Sequence, residues 1–360
     1  QEEIRRLFRA GLGSWEVMEK KKREEFIDIA KGIAILCVII GHTWKNAYPA
    51  DKRLMVFIYS FHMPLFFILS GWCLKSTDVK ISSVIVKKIK QLVVPYVVIN
   101  FIRTMIMSPE LFLKTEFWRS LFYAAGRDMQ KGIDGKPVSQ IGMTWFLMSL
   151  FMCQILYLCV KKISEEYEVS MWLLIICLAM MASQLRDYFW LPLGIQAGVY
   201  GMFFYHSGCV MKEKKIFEKD LKKLPVGSIL IGLFVWLLDI KVGCVGVHQA
   251  SYGGIISLAA PVCGTYFVVK LSQFIYVKGA KISRFLSWCG RFSLYIYAIH
   301  ALDVIGLSVI KRMVLCVFGL PSKKGALLYC VIRIMVVVIG ARVLTVVSEV
   351  WRMRRMHRAG

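Results

Sequence analysis

REEFIDIAKGIAILCVIIGHTW, residues 23–44, and FIYSFHMPLFFILSGWCLK, residues 57–75, decide how this chain is read. Both are apolar runs of the length that crosses a bilayer. Both carry titratable groups inside them: Asp28, Lys31 and His42 in the first, His62 in the second. Holding such a group at membrane depth costs on the order of a few kcal/mol, so its presence there marks a functional candidate by default. Pro64, Ser70 and Gly71 follow at once in the second run.

The first run predicts a helix with one polar face. An α-helix turns about 100° and rises about 1.5 Å per residue. Lys31 and His42 then lie within about 20° of each other and about 16 Å apart along the axis, with Asp28 about 40° from the same line. A carboxylate, an amine and an imidazole share that face. Asp28 and Lys31 stand at i,i+3, a spacing that predicts an ion pair. Gly32 and Gly41 admit a close neighbour. A neutral imidazole is suited to general-base work near pH 7, which makes His42 a candidate catalytic base. The bland alternative is a histidine that bonds a neighbouring helix.

Composition extends this reading to the whole chain. Of 360 residues, 57% are hydrophobic and 19% charged, and mean hydropathy is +0.58. A soluble domain carries about 25% charged residues. Ten apolar segments predict spans at 27–45, 54–74, 92–107, 144–160, 171–186, 190–210, 225–240, 253–272, 292–310 and 327–347. The strict alternation of a barrel strand is absent, so the predicted fold is all-α and polytopic. The first run is read as a retained span rather than a cleaved leader, because a second span follows it directly. A cytoplasmic segment 1–25, a membrane domain 26–349 and a basic cytoplasmic tail 350–360 complete the expected organisation.

The net charge of +24 does not point to nucleic acid, because the basic residues fall in blocks between apolar runs. With both termini in the cytoplasm, inner segments hold 28 Lys and Arg and outer segments 14, the expected bias. The long polar stretch 108–143 falls outside in this scheme and is expected to fold back or form a small lid. Eleven cysteines show no metal-ligand or disulfide spacing, so no metal is expected. No internal repeat is evident, which counts against many transporter architectures, the main rival reading being a transporter or flippase of a small polar or lipid-linked substrate.

IDIAKGIAILCVIIGH (27–42) and FIYSFHMPLFFILSG (57–71), in that order, resemble the membrane acyltransferase-3 family, and within it the branch of fucose 4-O-acetylase-like proteins. VKKIKQLVVPY (86–96), TWFLMSLF (144–151) and GRFSLYIYAIH (290–300) resemble later segments of the same family. The resemblance implies a membrane-bound O-acyltransferase. Such an enzyme is expected to take an acetyl or other acyl group from cytoplasmic acyl-CoA and pass it to a hydroxyl of a sugar or lipid-linked glycan precursor. His42 matches the family's catalytic histidine, which implies a general base or a transient acyl carrier; Lys31 stands where the family commonly has arginine, and Asp28 matches the acidic position three residues earlier. A bacterial plasma membrane is the implied location.

Further candidates come from polar residues in other spans. His62, two residues before Pro64, is expected to help orient substrate. Asn100 and Arg103 in the third span and His300 and Asp303 in the ninth are expected to form polar pairs that line the cavity. Trp145 is expected either to anchor a helix end or to stack on a sugar. Lys87, Lys88 and Lys90, on the same side as Lys31, could meet the phosphates of acetyl-CoA, although positive-inside topology accounts for them equally. His206 and His248 are expected to be structural or loop residues.

Overall fold

A computed structural model of the protein describes residues 24–74, 81–128, 130–220, 224–242, 246–247, 250, 254–302, 311–314, 316–317 and 322–359. Helix accounts for 81% of the structure. Among the described residues, six helices are long and apolar enough to cross a membrane: Glu25–Ala47, Arg53–Trp72, Ser82–Met107, Trp145–Glu166, Ile255–Lys278 and Lys323–Trp351. Met171–Leu185 and Ser293–Leu302 are shorter apolar helices. In hydrocarbon every backbone donor must be satisfied within the segment, so runs rich in Ile and Val become helices despite their strand preference. Leu230, Ile231, Phe234, Val343 and Val347 stay exposed, as lipid-facing side chains do.

Helix α1 (Glu25–Ala47) lies at the centre of the bundle. The second apolar run is two helices, α2 (Arg53–Tyr59) and α3 (His62–Trp72). They part at Ser60 and Phe61, where Phe61 leaves helical geometry at φ −139°. The indole of Trp236 donates to Ser60 Oγ at 2.8 Å and holds this break. Pro64 falls in the first turn of α3, where its missing N–H costs nothing.

The third span starts earlier than its sequence indicates. Helix α4 (Ile81–Lys88) runs through a π-turn at Ile89–Val93 into α5 (Val94–Met107). Lys87, Lys88 and Lys90 therefore sit on the helix rather than in a loop before it. Solvent-facing basic residues at the end of a span lower its hydropathy without stopping the helix.

Residues 108–128 and 130–144 form a small cap. A 3₁₀ turn at Pro109–Leu113 leads into α6 (Thr115–Tyr123) and a two-residue hairpin of β1 (Gln130–Lys131) and β2 (Pro137–Val138). Arg119 grips Asp134 through two nitrogens, at 2.6 and 2.9 Å, and holds its carboxyl down to about 2. The Trp190 backbone N–H donates to Lys131 O at 2.6 Å, which ties the hairpin to the far end of the next helix pair.

That pair is α7 (Trp145–Glu166) and α8 (Met171–Leu185), followed by α9 (Ile195–Glu213), α10 (Val226–Val242) and α11 (Ile255–Lys278). Then come α12 (Ala280–Arg291), α13 (Ser293–Leu302) and α14 (Lys323–Ala359). The last helix continues through the basic segment 350–359 expected as a tail. Helix crossings among the described residues bring backbone against backbone. A Cβ on Gly71 would overlap the carbonyl oxygen of Tyr205, and one on Gly208 that of Ile68, so α3 and α9 meet without side chains between them. Likewise a Cβ on Gly32 would overlap Leu286 O, and one on Gly290 would overlap Asp28 O, which joins α1 to α12. Small residues at such crossings let apolar helices pack where no hydrophobic drive separates helix from lipid.

Candidate functional site

The α1–α12 crossing fixes a register. Gly32 meets Gly290, and ten residues further along each chain His42 meets His300. The chain leaves helical geometry only briefly between α12 and α13, at Phe292, so α12 and α13 together run alongside α1 in the same direction. The ring centroids of His42 and His300 are 5.7 Å apart, with their planes at 47°. His42 is half-buried.

A second group closes on this pair from the break in the second apolar run. The Tyr59 ring lies 6.4 Å from His42 and 5.0 Å from His62. His62 Nδ1 lies 2.9 Å from Ile58 O across the break. From the other side α14 brings Arg333, 3% exposed, whose Nη1 donates to Thr43 Oγ1 at 3.2 Å. Thr43 Oγ1 in turn donates to Ile39 O at 2.6 Å. Arg333 is also near enough for its charge to bear on His300. Three histidines, a tyrosine and a guanidinium thus gather toward the C-terminal end of α1.

His300 is the anomaly. It is 0% exposed, and among the described residues neither ring nitrogen has a hydrogen-bond partner. Leaving a buried polar group unsatisfied costs about 1–3 kcal/mol, so such groups are rare in native structures. The predicted pairing of His300 with Asp303 lies outside the described residues, as does His248.

Beyond His42 the face opens. A cleft of about 520 Å³ is lined by Tyr48, Ala50, Asp51, Lys52, Arg53, Val56 and Ile240. Arg53 bonds both carboxylate oxygens of Asp51 at 3.0 Å and holds that carboxyl at about 2. Val56, in the cleft wall, stands three residues before Tyr59 on α2.

At the other end of the same helix face the structure departs from the predicted Asp28–Lys31 pair. Lys31 Nζ instead approaches Cys73 Sγ at 3.9 Å. Asp28 is 3% exposed and belongs to the turn pressed against Gly290, so the two side chains leave α1 in different surroundings. Lys88 is near enough to Lys31, Lys87 and Cys73 to feel their charges, which gathers a basic group at this end; Lys90 is exposed within the π-turn.

Asn100 and Arg103 do not pair with each other. Asn100 Nδ2 donates to Tyr96 O at 2.8 Å and its Oδ1 accepts from Thr144 Oγ1 at 3.1 Å. Arg103 Nη1 donates to Ile141 O at 3.3 Å. Both grip the turn that opens α7, one helical turn apart on α5. The Tyr297 hydroxyl donates to Met143 O in the same turn, and Tyr297 precedes His300 by three residues on α13. Trp145 begins α7, buried and edge-on to Phe146 at 6.0 Å. These residues brace the helix that carries His300. His206 is remote from them, bonded through Nδ1 to the Tyr157 hydroxyl at 3.0 Å.

Arg333, Tyr59 and Thr43 escaped the sequence reading. Arg333, one of two arginines inside the last apolar run, was a usable signal, by the same rule that singled out Asp28. Tyr59 and Thr43 offered none, because aromatic and hydroxyl residues are ordinary in spans. Among the described residues no three His, Cys, Asp or Glu side chains are grouped to hold a metal ion.

The chemistry within reach is proton transfer at His42, charge stabilisation by Arg333 and anion binding at the lysines. In comparisons with known proteins, no curated protein and no solved structure matches the chain. The profile of the acyltransferase-3 family, described as an acyltransferase domain, matches residues 24–345. That range holds both ends of the polar face of α1, the histidine pair and Arg333, and the chain belongs to the acyltransferase-3 family.

Proposed function

We propose that the protein is a multi-pass O-acyltransferase that moves an acetyl group from cytoplasmic acetyl-CoA to a hydroxyl of a sugar or lipid-linked glycan precursor, with His42 as general base. The observation that carries this reading is the convergence of His42, His300, Tyr59 and Arg333 within the bundle, on a helix whose opposite end carries a basic group. The acceptor hydroxyl gives its proton to His42 as its oxygen attacks the thioester carbonyl, and the departing CoA thiolate takes that proton back. Lys31, Lys87 and Lys88 suit the phosphates of CoA, as point charges rather than bidentate forks. The cleft at Tyr48, Asp51 and Arg53 suits a hydroxylated acceptor arriving at the other end. His62 and Trp145 are assigned to shaping the site rather than to proton transfer.

The topology that serves this reading has ten spans and both termini in the cytoplasm, so that the lysine end of α1 faces the acetyl-CoA pool of a bacterial plasma membrane. The fucose 4-O-acetylase-like branch accords with lysine at position 31. Purified protein in nanodiscs, given acetyl-CoA and a panel of methyl glycosides, tests the assignment. His42→Ala is expected to keep its fold and lose transfer by about 10²–10⁴-fold, the usual worth of a general base. Transfer at the wild-type rate by that variant removes His42 from the chemistry.

A further inference from the structure

We propose that His300, held beside Arg333, donates the hydrogen bond that stabilises the oxyanion formed when the thioester is attacked. This rests on the acyltransferase reading and adds a second catalytic residue to it.

The geometry supplies three parts. First, His300 is fully buried with both ring nitrogens lacking a hydrogen-bond partner among the described residues, so its N–H has no assigned use in the resting fold. A neutral imidazole carries one donor and one acceptor, and burial without partners leaves both to be met by something that enters the site. Second, its ring lies 5.7 Å from that of His42, which places both within reach of a single reacting carbonyl. Third, the position is braced rather than loose. Gly32 and Gly290 fix the register of the two helices, and Tyr297, one turn before His300, is bonded to Met143 O. An oxyanion donor is effective because it is already oriented when charge develops, and those contacts provide that orientation.

Arg333 acts through this residue. Its Nη1 is tied to Thr43, the neighbour of His42, and its charge reaches His300. A guanidinium keeps its charge when buried, so the site holds one fixed positive charge where negative charge forms. Arg333 is therefore a positioning residue, which sets the field at His300 and ties α14 to α1.

The step balances as follows. The acceptor oxygen forms a bond to the carbonyl carbon while its proton passes to a ring nitrogen of His42. The carbonyl π electrons move to oxygen, and that oxyanion accepts a hydrogen bond from the His300 N–H. Collapse restores the carbonyl, breaks the carbon–sulfur bond, and the thiolate leaves as CoA thiol with the proton from His42. Ester and thiol are the products, and neither histidine is changed.

The test compares His300→Met with His300→Gln, which are similar in size and differ in the N–H. Release of CoA thiol from acetyl-CoA is followed in nanodiscs, with water or added methyl glycosides as acceptor. His300→Met is expected to lower kcat by about 10²–10³-fold, the loss typical of one oxyanion donor, with KM for acetyl-CoA within about threefold. His300→Gln is expected to recover at least about tenfold of that loss. Arg333→Lys is expected to lose less than Arg333→Met, again in kcat. Equal rates for His300→Met and His300→Gln, a change confined to KM, or failure of both variants to fold overturns the assignment. Thiol release that is unaffected by His42→Ala sinks the transferase reading itself, whereas dependence on His42 without dependence on His300 sinks this proposal alone.

Discussion

His206 and His300 are both buried between helices, and the bundle treats them differently. His206 Nδ1 meets the Tyr157 hydroxyl at 3.0 Å, and its ring lies against Trp172 at 4.5 Å. Those contacts come from three helices that need joining: α7, α8 and α9. His300 has ring contact with His42 and a charge nearby, and no hydrogen bond among the described residues. Its helix is instead held by other means, the glycine crossing below it and Tyr297 beside it. Where the fold uses a histidine to hold helices together, it satisfies the ring. Where it holds the helices independently, it can leave a ring unsatisfied.

The comparison breaks most completely where the register is made. Gly290→Val places side-chain carbons in the carbonyl of Asp28, and the two helices must separate. The expected cost is at or above about 3 kcal/mol, the upper range of overpacking, and His42 then loses its neighbour. A collapse of the monodisperse peak on size exclusion checks it. Gly227→Ala on α10 is the matched control, since no atom lies within 4 Å of its added Cβ. It is expected to leave stability unchanged or raise it by up to about 1 kcal/mol. Normal folding by Gly290→Val removes the claim that this crossing aligns the two histidines.

Next in size is the donor end. Lys31→Met is expected to raise KM for acetyl-CoA about tenfold, the equivalent of about 1.4 kcal/mol, and to change kcat less. Lys88→Met is expected to act in the same direction and more weakly, because Lys31 remains. Steady-state kinetics with varied acetyl-CoA separates the two parameters. An effect on kcat alone moves Lys31 out of cofactor binding and into the chemistry.

Much of this arrangement is legible in the amino-acid sequence. The helical character, the continuous first span and the shared face of Lys31 and His42 followed from hydropathy and the 3.6-residue turn, and α1 is unbroken from Glu25 to Ala47. What stayed hidden depended on partners distant in sequence. Asp28 and Lys31 have pairing distance along the helix, but Cys73, 42 residues on, takes the lysine's side of that contact. Asn100 and Arg103 looked like a pair because spacing shows only neighbours on one helix, whereas their bonds go to the turn at 141–144. Arg333 is 290 residues from Thr43, and no local pattern announces such a contact. The early start of the third span was missed because lysines lower hydropathy without ending a helix.

The smallest expected effect tests the other half of the comparison. His206→Phe removes the ring nitrogen that faces Tyr157, leaving that hydroxyl short of a partner. Stranding a buried donor costs about 1–3 kcal/mol, and the low end applies because Cys209 is also within hydrogen-bonding reach of Tyr157. Tyr157→Phe alone is expected to cost a similar amount. The double variant is expected to cost less than the two added together, since residues in direct contact are not independent and the second change no longer strands a group. Thermal midpoints of the four proteins give that cycle. Transfer activity is expected to stay within about twofold in all of them, because the kinetic loss belongs to groups that meet charge in the transition state. A fall in kcat at His206 comparable to that at His300, without a change in midpoint, makes hydrogen-bond satisfaction a poor guide to which histidine works.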